Sequence, residues 1–219
     1  SRKGMVISNL VHSAVSMRIL IKVGIAAIIL SIASYVIIQV PSVQDRIMVS
    51  VVSGMANTFG KLNKEDALSV AVCGSRSPIP SPSRAETCML VQAGEEMFVV
   101  DIGDGSNANL QNWGIDYSKI NAVLLTHLHS DHIADLPNLH QGAWILQSRK
   151  DKLKVYGPKG VAIVTQGIEM AYGLDYQFRN EHHGDAIAPR EYAGFDTHTI
   201  NLNNPVIYQN GDLKITAFK

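Results

Sequence analysis

The sequence predicts an α/β domain with a mixed sheet, preceded by a single membrane-spanning helix. Three observations predict it. Residues 23–40 carry no charge and are almost wholly apolar. From residue 67 onward, paired strand-like runs give way to alternating strand-like and helix-like runs, the order of an α/β sheet with mixed pairing. One of those runs leads straight into His127-Leu128-His129-Ser130-Asp131-His132, four metal-competent side chains within six residues.

At 219 residues and 46% hydrophobic content, the chain is long enough for one domain with a buried core. Its net charge is zero but unevenly spread. Residues 1–44 hold Arg2, Lys3, Arg18 and Lys22 and no acid, which leaves 15 of the 19 basic residues against all 19 acidic ones beyond, a net charge of −4. A mildly acidic body argues against a nucleic-acid binder gripping phosphates. The basic group Arg149, Lys150, Lys152 and Lys154 reads as a solvated helix end and loop. Two cysteines make no disulfide scaffold. Cys73 ends an apolar run and reads as a buried free thiol; a Cys73–Cys88 bridge requires export of the domain.

The apolar segment, residues 23–40, is just long enough to cross a hydrocarbon core and is stopped by Pro41. Three readings stay open for it. In a signal anchor, the positive residues upstream keep the N-terminus cytoplasmic and send the rest across. A cleaved signal peptide would use Ser31-Ile32-Ala33, a poor site. A core helix is disfavoured because the segment has no polar face. Residues 1–44 are therefore the anchor, 45–66 a connector and 67–219 the domain. In the connector, Met48, Val51, Val52, Met55 and Phe59 recur at helical spacing. The chain starts at Ser1 and stops within the strand-like residues 213–218, which reads as a fragment at both ends, with Met5 and Met17 as candidate starts.

Within the domain, residues 68–73 read as a strand and 74–83 as a Pro- and Ser-rich loop. Residues 87–92 and 97–102 form a hairpin about Ala93-Gly94-Glu95. Ser106 is placed to cap the helix after the tight loop 101–105. Residues 120–125 are the strand that delivers the histidines. Leu136, Leu139, Ala143 and Leu146 form a helical stripe, with Pro137 near its start. A strand over 153–156 closes at Gly157-Pro158, and a helix covers roughly 159–172.

Residues two apart in an extended segment point the same way, so His127 and His129 can grip one ion. Asp131 and His132 follow at the turn and can face a second. A decorative polar loop needs neither these residue types nor this spacing. His140 falls on the helix after the motif, His182 and His183 in a polar loop, and His198 in Asp196-Thr197-His198; each reads as a non-ligand, although His182 or His183 could line a substrate mouth. There is no Gly-rich phosphate loop and no Gly-x-Ser-x-Gly, which excludes the kinase and serine-hydrolase signatures.

Four segments resemble the metallo-β-lactamase fold of metallohydrolases, and within it the ribonuclease Z and arylsulfatase-like branch. They are Val70-Ala71-Val72-Cys73-Gly74-Ser75 with the Pro-rich loop and Arg84; Val99-Val100-Asp101-Ile102-Gly103; Leu124 through the motif to Leu136-Pro137; and Val155-Tyr156-Gly157-Pro158-Lys159-Gly160. The likeness covers about residues 68–218. It implies the N-terminal part of a four-layer αβ/βα sandwich with a two-metal site at one edge. By resemblance, His127 and His129 bind the first metal, Asp131 and His132 the second, and Asp101 supports the site from beneath. Read on its own, Asp101 is equally a turn-capping residue before Gly103. The family's third His, bridging Asp and last His have no counterpart here, so the fragment alone is expected to bind metal weakly and to be inactive.

The resemblance implies hydrolysis by hydroxide held between two zinc ions, with iron or manganese as alternatives, and Asp131 both ligating and orienting it. A small phosphodiester, sulfate ester or lactone outside the cytoplasm fits best, because an anchor that exports the domain to the periplasmic side denies it transfer RNA. Membrane contact is through the N-terminal helix, nucleic acid is disfavoured, and a homodimer is compatible. Two rivals stay open: an iron-dependent redox or sulfur enzyme of the same fold, and a non-catalytic membrane-tethered remnant.

Overall fold

The computed structural model describes residues 21–40, 42–44, 46, 47, 50, 67–147 and 149–219. The chain divides into two compact units, Ser1–Met48 and Val49–Lys219. In the first, Ile21–Ile38 is one continuous helix, a membrane-span candidate exposed on every side, with Lys22 its single charge. Eighteen residues rise about 27 Å, close to a hydrocarbon core. All-round exposure is not the environment of a core helix. The connector positions Met48, Val51, Val52, Met55 and Phe59, and Arg2, Lys3, Met5, Met17 and Arg18, lie outside the described residues.

The second unit is a six-stranded sheet in the order β1 (Leu68–Gly74), β2 (Cys88–Ala93), β3 (Glu96–Val100), β4 (Ile120–Leu124), β5 (Leu153–Gly157) and β6 (Phe195–Thr199). The first three strands form an antiparallel meander, and β3 to β6 are parallel. Helices α1 (Ser106–Asn112), α2 (Ser130–Ile133), α3 (Leu136–Gln141) and α4 (Val161–His183) fill the connections between the parallel strands. Strands β3 and β4 are central and read as continuous apolar runs, as strands covered on both faces do. Alternation sorts their side chains. Met97, Val99 and Val123 enter the main core with Leu110, Leu136 and Leu139, whereas Phe98, Ala122 and Leu124 turn to the opposite face. There the hairpin of β7 (Val206–Asn210) and β8 (Leu213–Thr216) lies over them with Tyr208, Leu213 and Ile215. Its register is pinned by the Tyr208 hydroxyl, which donates to Glu96 at 2.9 Å. A helical layer, a sheet and the start of a facing β layer match the expected N-terminal part of the sandwich.

Several local expectations are corrected. Cys73 and Cys88 are not free thiols but a buried disulfide, with Cα atoms 5.0 Å apart, joining the end of β1 to the start of β2. Ser106 does not cap α1; it is the first helical residue, and its hydroxyl donates to the Glu86 carbonyl while Gly105 takes the cap position. Leu146 leaves the apolar stripe because α3 passes into a π-turn over Gly142–Leu146. The wider turn brings Trp144 and Ile145 inward instead. Helix α4 does not end near 172: Gly173 is tolerated within it, and it runs to Gly184, whose φ of 68° stops it. His182 and His183 therefore close a helix rather than sit in a loop. Arg149 is not solvated. It is buried and donates to the carbonyls of Ile120 at 2.6 Å and Tyr117 at 3.3 Å, so the guanidinium satisfies backbone around the start of β4.

Candidate metal centre

The parallel pairing of β3 and β4 aligns Val100 with Leu124, so both strands release their chains at the same edge. That edge, beyond the carboxyl ends of parallel strands, is where α/β sheets bind ligands. From β3 comes Asp101, buried, with φ 56°. Aspartate tolerates this left-handed conformation better than most residues. From β4 come Thr126 and the histidine motif, which turns into α2 at Ser130.

The two loops are laced together. Ile102 donates to the His132 carbonyl at 2.8 Å, and Asp135 donates back to the Ile102 carbonyl at 3.0 Å. Gly103 makes this approach possible, because a Cβ there would lie 2.1 Å from the Asp131 carbonyl oxygen. The Asp101 carboxylate accepts three hydrogen bonds: from the Thr126 amide at 2.8 Å, the Thr126 hydroxyl at 2.7 Å and His132 Nδ1 at 2.8 Å. The Thr126 hydroxyl, having given its proton to Asp101, is left to accept from His127 Nδ1, 3.1 Å away. Both rings thereby carry their proton on Nδ1 and turn Nε2 outward, the tautomer that leaves Nε2 free as a ligand.

The outward atoms form two pairs. His127 Nε2 lies 3.1 Å from His129 Nδ1, and His132 Nε2 lies 3.6 Å from the Asp131 carboxylate. Two ligands on one tetrahedral zinc stand roughly 3.4 Å apart, given bonds of about 2.1 Å. Both spacings, and a donor set of imidazole and carboxylate, fit a metal. The rings of His127 and His132 bring the two pairs together, with centroids 3.9 Å apart. Among the described residues, however, no group of three His, Cys, Asp or Glu side chains is arranged to hold one ion. The motif presents two half-sets.

Asp101 acts from behind the motif, as the resemblance implied, and its side chain reaches Thr126 and His132 rather than its own turn. Thr126 was missed as a functional residue; its signal was a hydroxyl immediately before the first histidine. The other described histidines stay apart. His140 is buried in the core, where Nε2 accepts from the Gly194 amide at 2.8 Å; burial lowers its pKa to about 4. His182 and His183 pack edge to face at the end of α4. His198 stands on β6, stacked on Tyr156, 3.0 Å from Asp196. An apolar cavity of about 780 Å³ opens beside the motif, lined by Leu125, Thr126, Pro158, Ile200, Ile207 and Phe218.

Comparison with known proteins agrees with this fold. Residues 83–200 match the family model of the metallo-beta-lactamase superfamily. A ribonuclease Z of Mycobacterium marinum is 40% identical over 124 residues, covering 56% of this chain and 44% of the relative. One of Mycolicibacterium gilvum is 39% identical over 124 residues, covering 56% and 43%. The chain thus spans less than half the length of these curated relatives. Human tRNase Z, short form, superposes with a TM-score of 0.50 at 19% identity, over 66% of this chain and 57% of that one, a likeness of fold.

Proposed function

The chain belongs to the metallo-beta-lactamase superfamily, and from that premise we propose that residues 67–219 carry the first half of the metal centre of a phosphodiester hydrolase, tethered through the anchor 1–44 and connector 45–66. The carrying observation is the paired donor spacing, 3.1 Å and 3.6 Å, with His127 and His132 held from behind. His127 and His129 are the ligands of one ion, Asp131 and His132 of the other. Zinc is the expected metal, with iron or manganese as alternatives, and supplies Lewis acidity toward water and the ester oxygens. Asp131 is the residue placed both to ligate and to orient the attacking water. Asp101 and Thr126 hold the imidazole tautomers. Catalytic zinc keeps three protein ligands, so each pair requires further ligands from elsewhere in the protein.

The name ribonuclease Z borne by the relatives supports a phosphodiester over a sulfate ester or lactone, and brings RNA back as a candidate substrate. Two features support a small phosphodiester outside the cytoplasm instead. A buried disulfide belongs to an oxidising compartment. The positive residues before the apolar helix favour export of the domain beyond it.

The test uses purified, full-length, zinc-loaded protein against bis(p-nitrophenyl) phosphate, p-nitrophenyl sulfate, a lactone and a 3′-extended RNA. Phosphodiester cleavage is expected, abolished by chelation and by Asp131→Asn. Failure to cleave any phosphodiester would refute the proposal. Iron in the protein as isolated, with redox turnover, would establish the rival reading.

A further inference from the structure

A second, smaller cavity opens in the helical layer and shares no lining residue with the cavity beside the motif. It holds about 260 Å³. Four carboxamides line it from two helices: Asn107 and Gln111 one turn apart on α1, and Asn138 and Gln141 one turn apart on α3. Arg179 of α4 completes the polar rim. Gly142, Ile145 and Leu146 of the π-turn form the remaining wall, and such turns recur at functional sites. The polar groups are held from behind. The Asp175 carboxylate accepts from Gln141 Nε2 and from Arg179 Nε, both at 2.8 Å. The Asp135 carboxylate accepts from Asn138 Nδ2 and from the Asn107 backbone amide, both at 2.9 Å. Hydrogen-bonding capacity is left over. Among the described residues, the Gln111 carboxamide and the two terminal nitrogens of Arg179 have no partner, and Asn138 Oδ1 and Gln141 Oε1 accept nothing.

We propose that this cavity binds a single neutral sugar ring. A hydroxyl both donates and accepts, and so does a carboxamide. The free donors of Gln111 and Arg179 and the free acceptors of Gln111, Asn138 and Gln141 therefore match a ligand whose edge is lined with hydroxyls. Ile145 and Leu146 offer an apolar wall to the C–H face of such a ring. The volume lies below the roughly 300 Å³ at which sites for drug-sized ligands begin, which suits one ring rather than a chain of them. Charge selects against an anion, because Arg179 is the one cation on the lining and is already paired with Asp175. The site stands apart from the metal motif, so the inference does not rest on the hydrolase reading.

The test titrates the full-length protein, in a detergent without sugar headgroups, with glucose, galactose, mannose and N-acetylglucosamine. Acetate and adenosine serve as controls, and binding is read by saturation-transfer NMR. At least one of the sugars is expected to bind at millimolar concentration, equally with and without zinc. Gln111 is exposed and its side chain bonds to no described residue, so Gln111→Leu is expected to keep the parent's thermal midpoint and to weaken that sugar by at least about tenfold. Binding that requires zinc would place the sugar at the motif and overturn the proposal. Unchanged binding in Gln111→Leu, acetate or adenosine held as tightly as any sugar, or no transfer to any of the four sugars overturns it as well.

Discussion

His140 makes the stability of the domain sensitive to acid. The imidazole is buried among Trp144, Tyr176 and Phe195, with ring centroids 5.9, 5.3 and 4.9 Å away. Burial is the largest cause of its lowered pKa, about 4 against an ordinary 6.5; backbone contacts from Tyr192 and Gly194 oppose that shift, and the nearby Arg149 charge reinforces it. A histidine with a depressed folded pKa is neutral in the native state while the unfolded chain takes up a proton. Stability is therefore complete above the unfolded value and falls as pH drops from 6.5 toward about 4. Between about pH 7.5 and about pH 5 the loss from this one group is about 2 kcal/mol. Urea unfolding followed by fluorescence of Trp144, which stacks on His140, measures it. His140→Gln, whose amide oxygen can still accept from Gly194, is expected to lose that pH dependence even if it is less stable at neutral pH. An equal acid loss in His140→Gln and the parent would refute the reasoning.

Other perturbations have defined outcomes. Replacing Cys73 and Cys88 by Ala opens a 15-residue separation and is expected to lower stability by about 3 kcal/mol, with the parent losing as much under dithiothreitol in a thermal melt. Asp101→Ala removes the acceptor shared by Thr126 and His132 and should weaken zinc binding by about 10- to 100-fold in competition titrations, while the circular dichroism spectrum persists. Thr126→Val should loosen His127 alone and lower zinc affinity by less than Asp101→Ala does. Gly103→Ala is expected to push the loop off the Asp131 carbonyl and reduce both stability and zinc affinity, since the clashing atom is backbone.

Sequence resolved the sheet and the motif well because both rest on local signals. Apolar runs along residues 97–100 and 120–124 mark strands, and the Gly94 turn marks the hairpin that joins β2 to β3. The ends of elements were less legible, since they depend on partners remote in sequence. Whether Cys73 is a thiol or half a bridge is decided by the Gly74 backbone, which closes against Glu86 so tightly that a Cβ would overlap it. Arg149 lies in a run of positive charge that looks solvated, yet the carbonyls it satisfies are 29 and 32 residues away. Likewise, the four candidate ligands lie in one hexapeptide, whereas the carboxylate that holds His132, and His127 through Thr126, comes from the end of another strand. Spacing suggests the two pairs, His127 with His129 and Asp131 with His132, but not the contacts from Asp101 and Thr126 behind them.

The route of the chain between β3 and α2 has a consequence for biogenesis. Asp101, Thr126 and the histidine motif all belong to one strand–helix–strand crossover and the turn after it, with the farthest orienting contact spanning 31 residues. Everything that fixes the imidazole tautomers is thus present once residue 133 has left the ribosome. Contacts of short sequence span form early, so the half-sets are expected to be organised on the nascent chain before the strands downstream arrive. Pulsed hydrogen exchange on stalled chains would test this, through protection of the Thr126 amide in a chain ending just after α3.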